Sequence, residues 1–304
     1  MADQNAQVGE GYEHEDLSQS VLYEIVEDHI CLITLNRPDR RNAIAIPGMN
    51  DLLDEMLQRA QDDDRVKVIV FRANGPDFCS GEDTRKTPIE AFGLKKDAGR
   101  LPQSIRMRNM RKTYASIQNG LIWSDKVVIG ACQGNVMGLG FSLAFACDML
   151  IVADNARFAR RQSRIGFAAF DGQMPMALLK MGLNRGMEVL LTGRSVTPDE
   201  LKEWGIANSV VPEDQLFDEA MRYARAVAAL STDGLMLGKR AMHQYLHGLG
   251  LASFQNFASI GHPLFTNIVW REDEFNFLNE RNKEGSNKGV WKKLNKIFKD
   301  LGFD

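Results

Sequence analysis

The stretch Gln133-Gly134-Asn135-Val136-Met137-Gly138-Leu139-Gly140-Phe141-Ser142-Leu143-Ala144-Phe145-Ala146-Cys147-Asp148 constrains the fold more than any other. One apolar run, Val127 to Ala131, leads into it, and a second, Met149 to Ala153, leaves it. Two glycines flank Leu139, and small or apolar residues follow without a proline. That order reads as strand, tight glycine turn, buried helix, strand. Such a turn leaves backbone N–H groups unpaired at a buried helix start, where they carry the positive end of the helix dipole. An anion suits that place, either a bound phosphate or an oxyanion that develops during reaction. The same glycines also fit a purely structural role, close packing of helix against strand.

A chain of 304 residues has room for one large domain or two smaller ones. Its formal net charge of -3 lacks the basic excess of a general nucleic-acid binder. Cys31, Cys79, Cys132 and Cys147 show no CxxC spacing and lie among apolar residues, so buried free thiols and a reducing compartment are expected. No apolar run reaches the length of a membrane span. Residues 1–20 hold five acidic residues and no Lys or Arg, the reverse of a targeting peptide. A disordered acidic leader on a cytoplasmic protein is the expectation. His243 and His247 are four apart and His262 follows, but no carboxylate pattern accompanies them, so packing or surface roles are expected rather than a metal site.

Along the chain, Val21 to Val26 and Ile30 to Leu35 form a hairpin around Glu27-Asp28-His29. A polar loop, Asn36 to Ala43, follows. Pro47 to Gln61 has helical apolar spacing, and Val66 to Phe71 is a strand buried on both faces. Thr84 to Gln118 is the least regular part and contains the basic segment Arg106 to Lys112, which fits either a solvated helix face or a mobile segment beside an anionic substrate. Met174 to Met181 is a short helix ended by Gly182. Thr197-Pro198-Asp199-Glu200 starts another, with Thr as N-cap. Ile206 to Val211 is a last strand, and the pattern is helical from Asp214 onward.

Several segments, in order, resemble the crotonase family, the enoyl-CoA hydratase/isomerase superfamily. They are Ile33-Thr34-Leu35-Asn36-Arg37-Pro38 with Asn42-Ala43, then Phe78-Cys79-Ser80-Gly81-Glu82-Asp83, then Gly134 through Asp148. Leu191 to Arg194, Ala207, Val210 to Pro212 and Phe277 to Arg281 match later landmarks. The resemblance implies an α/β fold, a crotonase-type spiral of repeated ββα units over 21–213, after a leader at 1–20. It also implies a C-terminal helical region at 214–304 that drives a homotrimer or dimer of trimers. The implied substrate is an acyl-CoA thioester, with coenzyme A as part of the substrate and no separate cofactor. The implied chemistry is stabilisation of an enolate or related oxyanion by the backbone N–H groups of Glu82 and Leu139. Leu139 stands where the family usually has Gly, which a main-chain donor tolerates if the side chain points away. By the same resemblance Arg40 and Arg41 lie near the nucleotide phosphates, and Ser80, Asp83 and Thr84 border the adenine. Gly138 and Arg161 are placed at the substrate.

The chain departs from that family where the standard hydratase has two glutamates. Here those places hold Ser142 and Gln162, neither of which titrates usefully near neutral pH. Asp171, in Ala168-Ala169-Phe170-Asp171-Gly172, is the candidate acid/base; a surface Asp-Gly turn is its alternative. The Glu82 side chain is expected to turn to solvent, because a charge aimed inward would repel an enolate. Arg160 and Arg161 either pair with Asp171 or Glu82, or bind a carboxylate on the acyl group. Besides hydration or isomerisation, two readings stay open: C–C bond hydrolysis of a β-diketone or β-keto thioester, and non-catalytic acyl-CoA binding.

Overall fold

The computed structural model describes residues 16–46, 48–83, 102–110, 116–167, 174–257, 270–284 and 287–303. Strands β1 (Val21–Glu27) and β2 (Ile30–Leu35) form the expected antiparallel hairpin. To β2 are added, all parallel, β3 (Val68–Ala73), β4 (Val127–Cys132), β6 (Met149–Ala153) and β8 (Ser209–Val211). The sheet is six-stranded, in the order β1-β2-β3-β4-β6-β8. Parallel strands need crossovers, so helices cover both faces.

Which helix covers which face follows from the period of two along each strand. Cys31, Ile33, Ile69, Phe71 and Val128 point to one side, onto α1 (Met49–Asp62), α3 (Ser116–Ile122) and α4 (Leu139–Ala146). Ile30, Leu32, Val68, Val70, Val127 and Ile129 point to the other, onto Leu216, Ala220, Met221 and Ala224 of α8 (Leu216–Ala228). Between α1 and α3 the described residues include α2 (Gln103–Met110).

A second, smaller layer is built from β5 (Asn135–Met137) and β7 (Arg157–Ala159), paired in parallel. Isolated bridges extend it at Cys79 with Val136, Ile44 with Glu82, and Phe158 with Val196. Successive turns of chain therefore place one strand in the large sheet and a shorter one in the small layer. That is the spiral expected from the sequence.

After β7 come α5 (Pro175–Met181), α6 (Leu183–Thr192) and α7 (Pro198–Glu203). The last has the full capping box: Thr197 Oγ1 accepts from the Glu200 N–H, and the Glu200 carboxylate accepts from the Thr197 N–H. Beyond α8 lie α9 (Thr232–Gly248), α10 (Phe277–Glu284) and α11 (Asn287–Asp300). Arg164, buried, ties the chain end down: Nε donates to Thr192 O at 2.7 Å, Nη2 donates to Phe303 O, and the guanidinium lies 4.0 Å from the centre of the Phe298 ring.

The four cysteines are buried and free, and burial pushes the Cys79 and Cys147 thiols up to about 12. His243 and His247 pack on Trp123, edge-on and stacked respectively, with ring centres 5.4 and 4.6 Å away. Among the described residues no helix is long and apolar enough to cross a membrane. None of their His, Cys, Asp and Glu side chains gather into a metal-binding group.

Candidate active site

Two loops meet in front of α4. The first, Cys79 to Asp83, is stitched on both sides. Cys79 N–H donates to Asn135 O (3.0 Å) and Met137 N–H to Cys79 O (2.8 Å). Ile44 N–H donates to Gly81 O (2.9 Å) and Asp83 N–H to Ile44 O (2.8 Å). The second loop is Met137 to Gly140, anchored by Gly138 N–H to Ala159 O (3.0 Å). Gly138 has φ 54° and ψ -118°, a turn conformation that side chains with a Cβ avoid. A Cβ on Gly81 would stand 3.0 Å from Met137 O and 3.5 Å from the Leu139 nitrogen. Contact between the loops is thus made through glycine backbone.

The amides of Glu82 and Leu139 follow directly on these two glycines. Among the described residues, neither donates a hydrogen bond. Leu139 opens α4, so its N–H has no carbonyl four residues back to accept it. Its side chain is fully buried in the main core.

The Glu82 side chain does not turn to solvent, contrary to the expectation from sequence. Oε2 lies 2.7 Å from the point where a Cβ on Gly138 would sit, and Gln162 Nε2 lies 3.3 Å from that same point. Carboxylate and amide converge over the glycine because it presents no side chain. Gln162 Oε1 is buried and has no hydrogen-bond partner among the described residues. The backbone at Gln162 is held by a tight turn, its carbonyl accepting from the Ile165 and Phe167 N–H groups at 3.2 and 3.0 Å.

Ser142 lies one helical turn inside α4. Its hydroxyl is 3.4 Å from Gly138 O and accepts from Arg160 Nη1 at 3.4 Å. Arg160 is only 2% exposed, so a guanidinium sits in the interior directly behind the glycine turn. The position of Arg160 immediately after buried β7 was the available signal of this burial.

The remaining sequence candidates lie in different surroundings. Arg40 and Arg41 are largely solvent-facing, 3.4 Å from Asp39 and 3.8 Å from Asp77 respectively. Ser80 lies in the first loop, its N–H donating to Arg41 O. The Asp83 carboxylate faces inward, 4% exposed and 3.7 Å from Arg37 Nη2. Arg161 reaches Asn295 Oδ1 (3.2 Å) and Ser195 Oγ (3.1 Å), linking the site loop to α11. Thr84 and Asp171 lie outside the described residues.

Arg37 and Asn42, which read as members of a polar loop, are buried structural centres instead. Asn42 Oδ1 accepts from the Arg37 N–H (2.7 Å), and Nδ2 donates to Asn74 O (2.8 Å) and Asp77 O (2.7 Å). Arg37 Nη1 donates to Ala43 O at 2.7 Å. Together they set the path of the loop carrying Arg40 and Arg41.

Known proteins are similar to this chain along most of its length. The family model for enoyl-CoA hydratase/isomerase matches residues 26–259. A mevalonyl-coenzyme A hydratase of Aspergillus fumigatus is 28% identical over 244 residues, covering 79% of this chain and 83% of that protein. A probable enoyl-CoA hydratase of Mycobacterium bovis is 30% identical over 274 residues, covering 87% and 90%. Among solved structures, a probable enoyl-CoA hydratase from Mycobacterium thermoresistibile superposes with a TM-score of 0.69 at 31% identity, over 81% of this chain and 96% of that one. The chain belongs to the enoyl-CoA hydratase/isomerase family.

Proposed function

We propose that the protein is an acyl-CoA-processing enzyme that stabilises a thioester enolate, or a related oxyanion, with the N–H groups of Glu82 and Leu139. One observation carries this reading: two backbone amides without partners among the described residues are brought together by glycine contacts at the start of a buried helix. Donors already in place in a dry site contribute about 3 kcal/mol each toward a developing oxyanion. Water has to reorganise to do the same.

The exposed Arg40 and Arg41 are proposed to meet the phosphates of coenzyme A, where guanidinium forks suit phosphate oxygens. Asp171 is proposed as an acid/base. Association into trimers, or dimers of trimers, belongs to the same reading; exposed Leu237, Met242 and Tyr245 on α9 supply apolar surface for it. Ordinary hydration by a glutamate pair is not part of the proposal, since Ser142 and Gln162 occupy those two places.

Acetoacetyl-CoA tests the central claim, because its enolate absorbs in the near ultraviolet. Titration with the protein should raise the enolate absorbance and show tighter binding than free coenzyme A. Binding no tighter than that of coenzyme A, without the absorbance change, would overturn the reading. Crotonyl-CoA should be hydrated slowly or not at all.

A further inference from the structure

We infer that the Glu82 side-chain carboxylate is the group that removes the α-proton of the bound thioester, so that the reaction is proton relocation rather than addition of water. The inference rests on the acyl-CoA reading above. It is carried by the convergence of Glu82 Oε2 and Gln162 Nε2 over Gly138, the residue that precedes the Leu139 donor. The carboxylate therefore lies beside the amides proposed to hold the thioester oxygen. The α-carbon is one bond from the carbonyl carbon, which brings its hydrogen within reach of a carboxylate in that place.

The charge problem that argued for a solvent-facing Glu82 disappears within the step itself. The Cα–H bond breaks, the proton joins Oε2, and the C–H electron pair moves through the enolate to the thioester oxygen. Negative charge passes from Glu82 to the oxygen held by the two N–H groups, and the total charge of the site is unchanged. A neutral carboxylic acid then faces the enolate. Returning the proton to Cα gives exchange with solvent; returning it to the γ-carbon of an unsaturated chain moves the double bond. Neither outcome needs a co-reactant.

Gln162 acts as a positioning residue. Its amide nitrogen sits beside the Glu82 carboxylate over Gly138, and its buried Oε1, without a partner among the described residues, is left to accept from a substrate or solvent donor.

The alternative role for Glu82 is purely structural, a carboxylate placed at the positive end of α4. Isotope exchange separates the two. Butyryl-CoA is incubated with the full-length protein in D₂O, α-deuteration is followed by NMR, and binding is measured by calorimetry. Wild type should exchange. E82Q, which keeps the backbone N–H and the side-chain shape, should bind butyryl-CoA within about threefold of wild type yet exchange at least about a hundredfold more slowly. E82D, with the same acid one methylene shorter, should recover part of the rate. Exchange by E82Q at the wild-type rate overturns the inference, as does wild-type binding without any exchange. Failure of wild type to bind butyryl-CoA overturns the acyl-CoA reading as well.

Discussion

Lys239 Nζ, on α9, donates to both carboxylate oxygens of Asp148 at 2.5 and 2.7 Å. Asp148 closes the stretch around which the chain is organised, and its Oδ2 also accepts from the Val128 N–H at 2.8 Å. A single ion pair thereby joins the C-terminal helices, the end of α4 and the central strand. The Lys239 side chain is 8% exposed and that of Asp148 24%. Lys239→Met should destabilise the fold by about 1–2 kcal/mol, because it leaves a partly shielded carboxylate without the Lys239 charge. Urea denaturation checks this; a midpoint equal to wild type would remove the pair from the account of stability.

Asn42→Ala deletes three short hydrogen bonds to buried groups. A loss of about 2–4 kcal/mol is expected, since the stranded N–H and carbonyl groups keep their desolvation penalty. The same variant should weaken coenzyme A binding if Arg40 and Arg41 carry the phosphates. Calorimetry at a temperature where the variant is still folded measures that second effect.

Gly140 packs against the first site loop so closely that a Cβ would fall 2.6 Å from Cys79 Cβ and 2.7 Å from Cys79 O. Backbone cannot swing aside as a long side chain can. Gly140→Ala should therefore cost about 1–3 kcal/mol and disturb the junction beside Leu139. The expected signature is a fall in acetoacetyl-CoA enolate absorbance at saturating ligand, with denaturation showing the stability loss in parallel.

His243 has its pKa lowered from 6.5, first by burial and then by Lys239 nearby, against weaker opposing pulls from Asp125 and Asp148. The unfolded chain takes up the proton more readily than the folded one. Its contribution to stability is complete above 6.5 and is lost as pH falls from 6.5 toward the folded-state pKa. His243→Gln should flatten this acid-side decline while leaving the slope above neutrality alone. Denaturant titrations across pH compare the two; parallel curves would exclude His243 as the source.

Asp171→Asn addresses the second carboxylate of the proposed site. Asp171 is proposed as an acid/base besides the Glu82 carboxylate. Turnover of an unsaturated acyl-CoA should then fall about a hundredfold or more, with coenzyme A binding retained. Unchanged turnover would remove Asp171 from the mechanism.

Local patterns in the chain specified most elements without help from the tertiary structure. The hairpin at Val21–Leu35, the amphipathic helix after Gly48, the largely apolar helix after Gly138 and the Thr197 capping box were legible because each depends on neighbours within a turn or two. Motif order pointed to the family for the same reason, since glycine turns and short signatures are read along the chain. The direction of a side chain at a junction between distant segments is a different kind of quantity. Glu82 turns inward because Gly138, far along the chain, leaves room above it, and Asp83 turns inward because Arg37 is buried opposite. No local spacing encodes either meeting. Sequence alone determined the elements, the helix start and the backbone donors that such a start leaves open. Packing of one segment on another decided which charges enter the site, because the cost of burying a charge depends on what lies across from it.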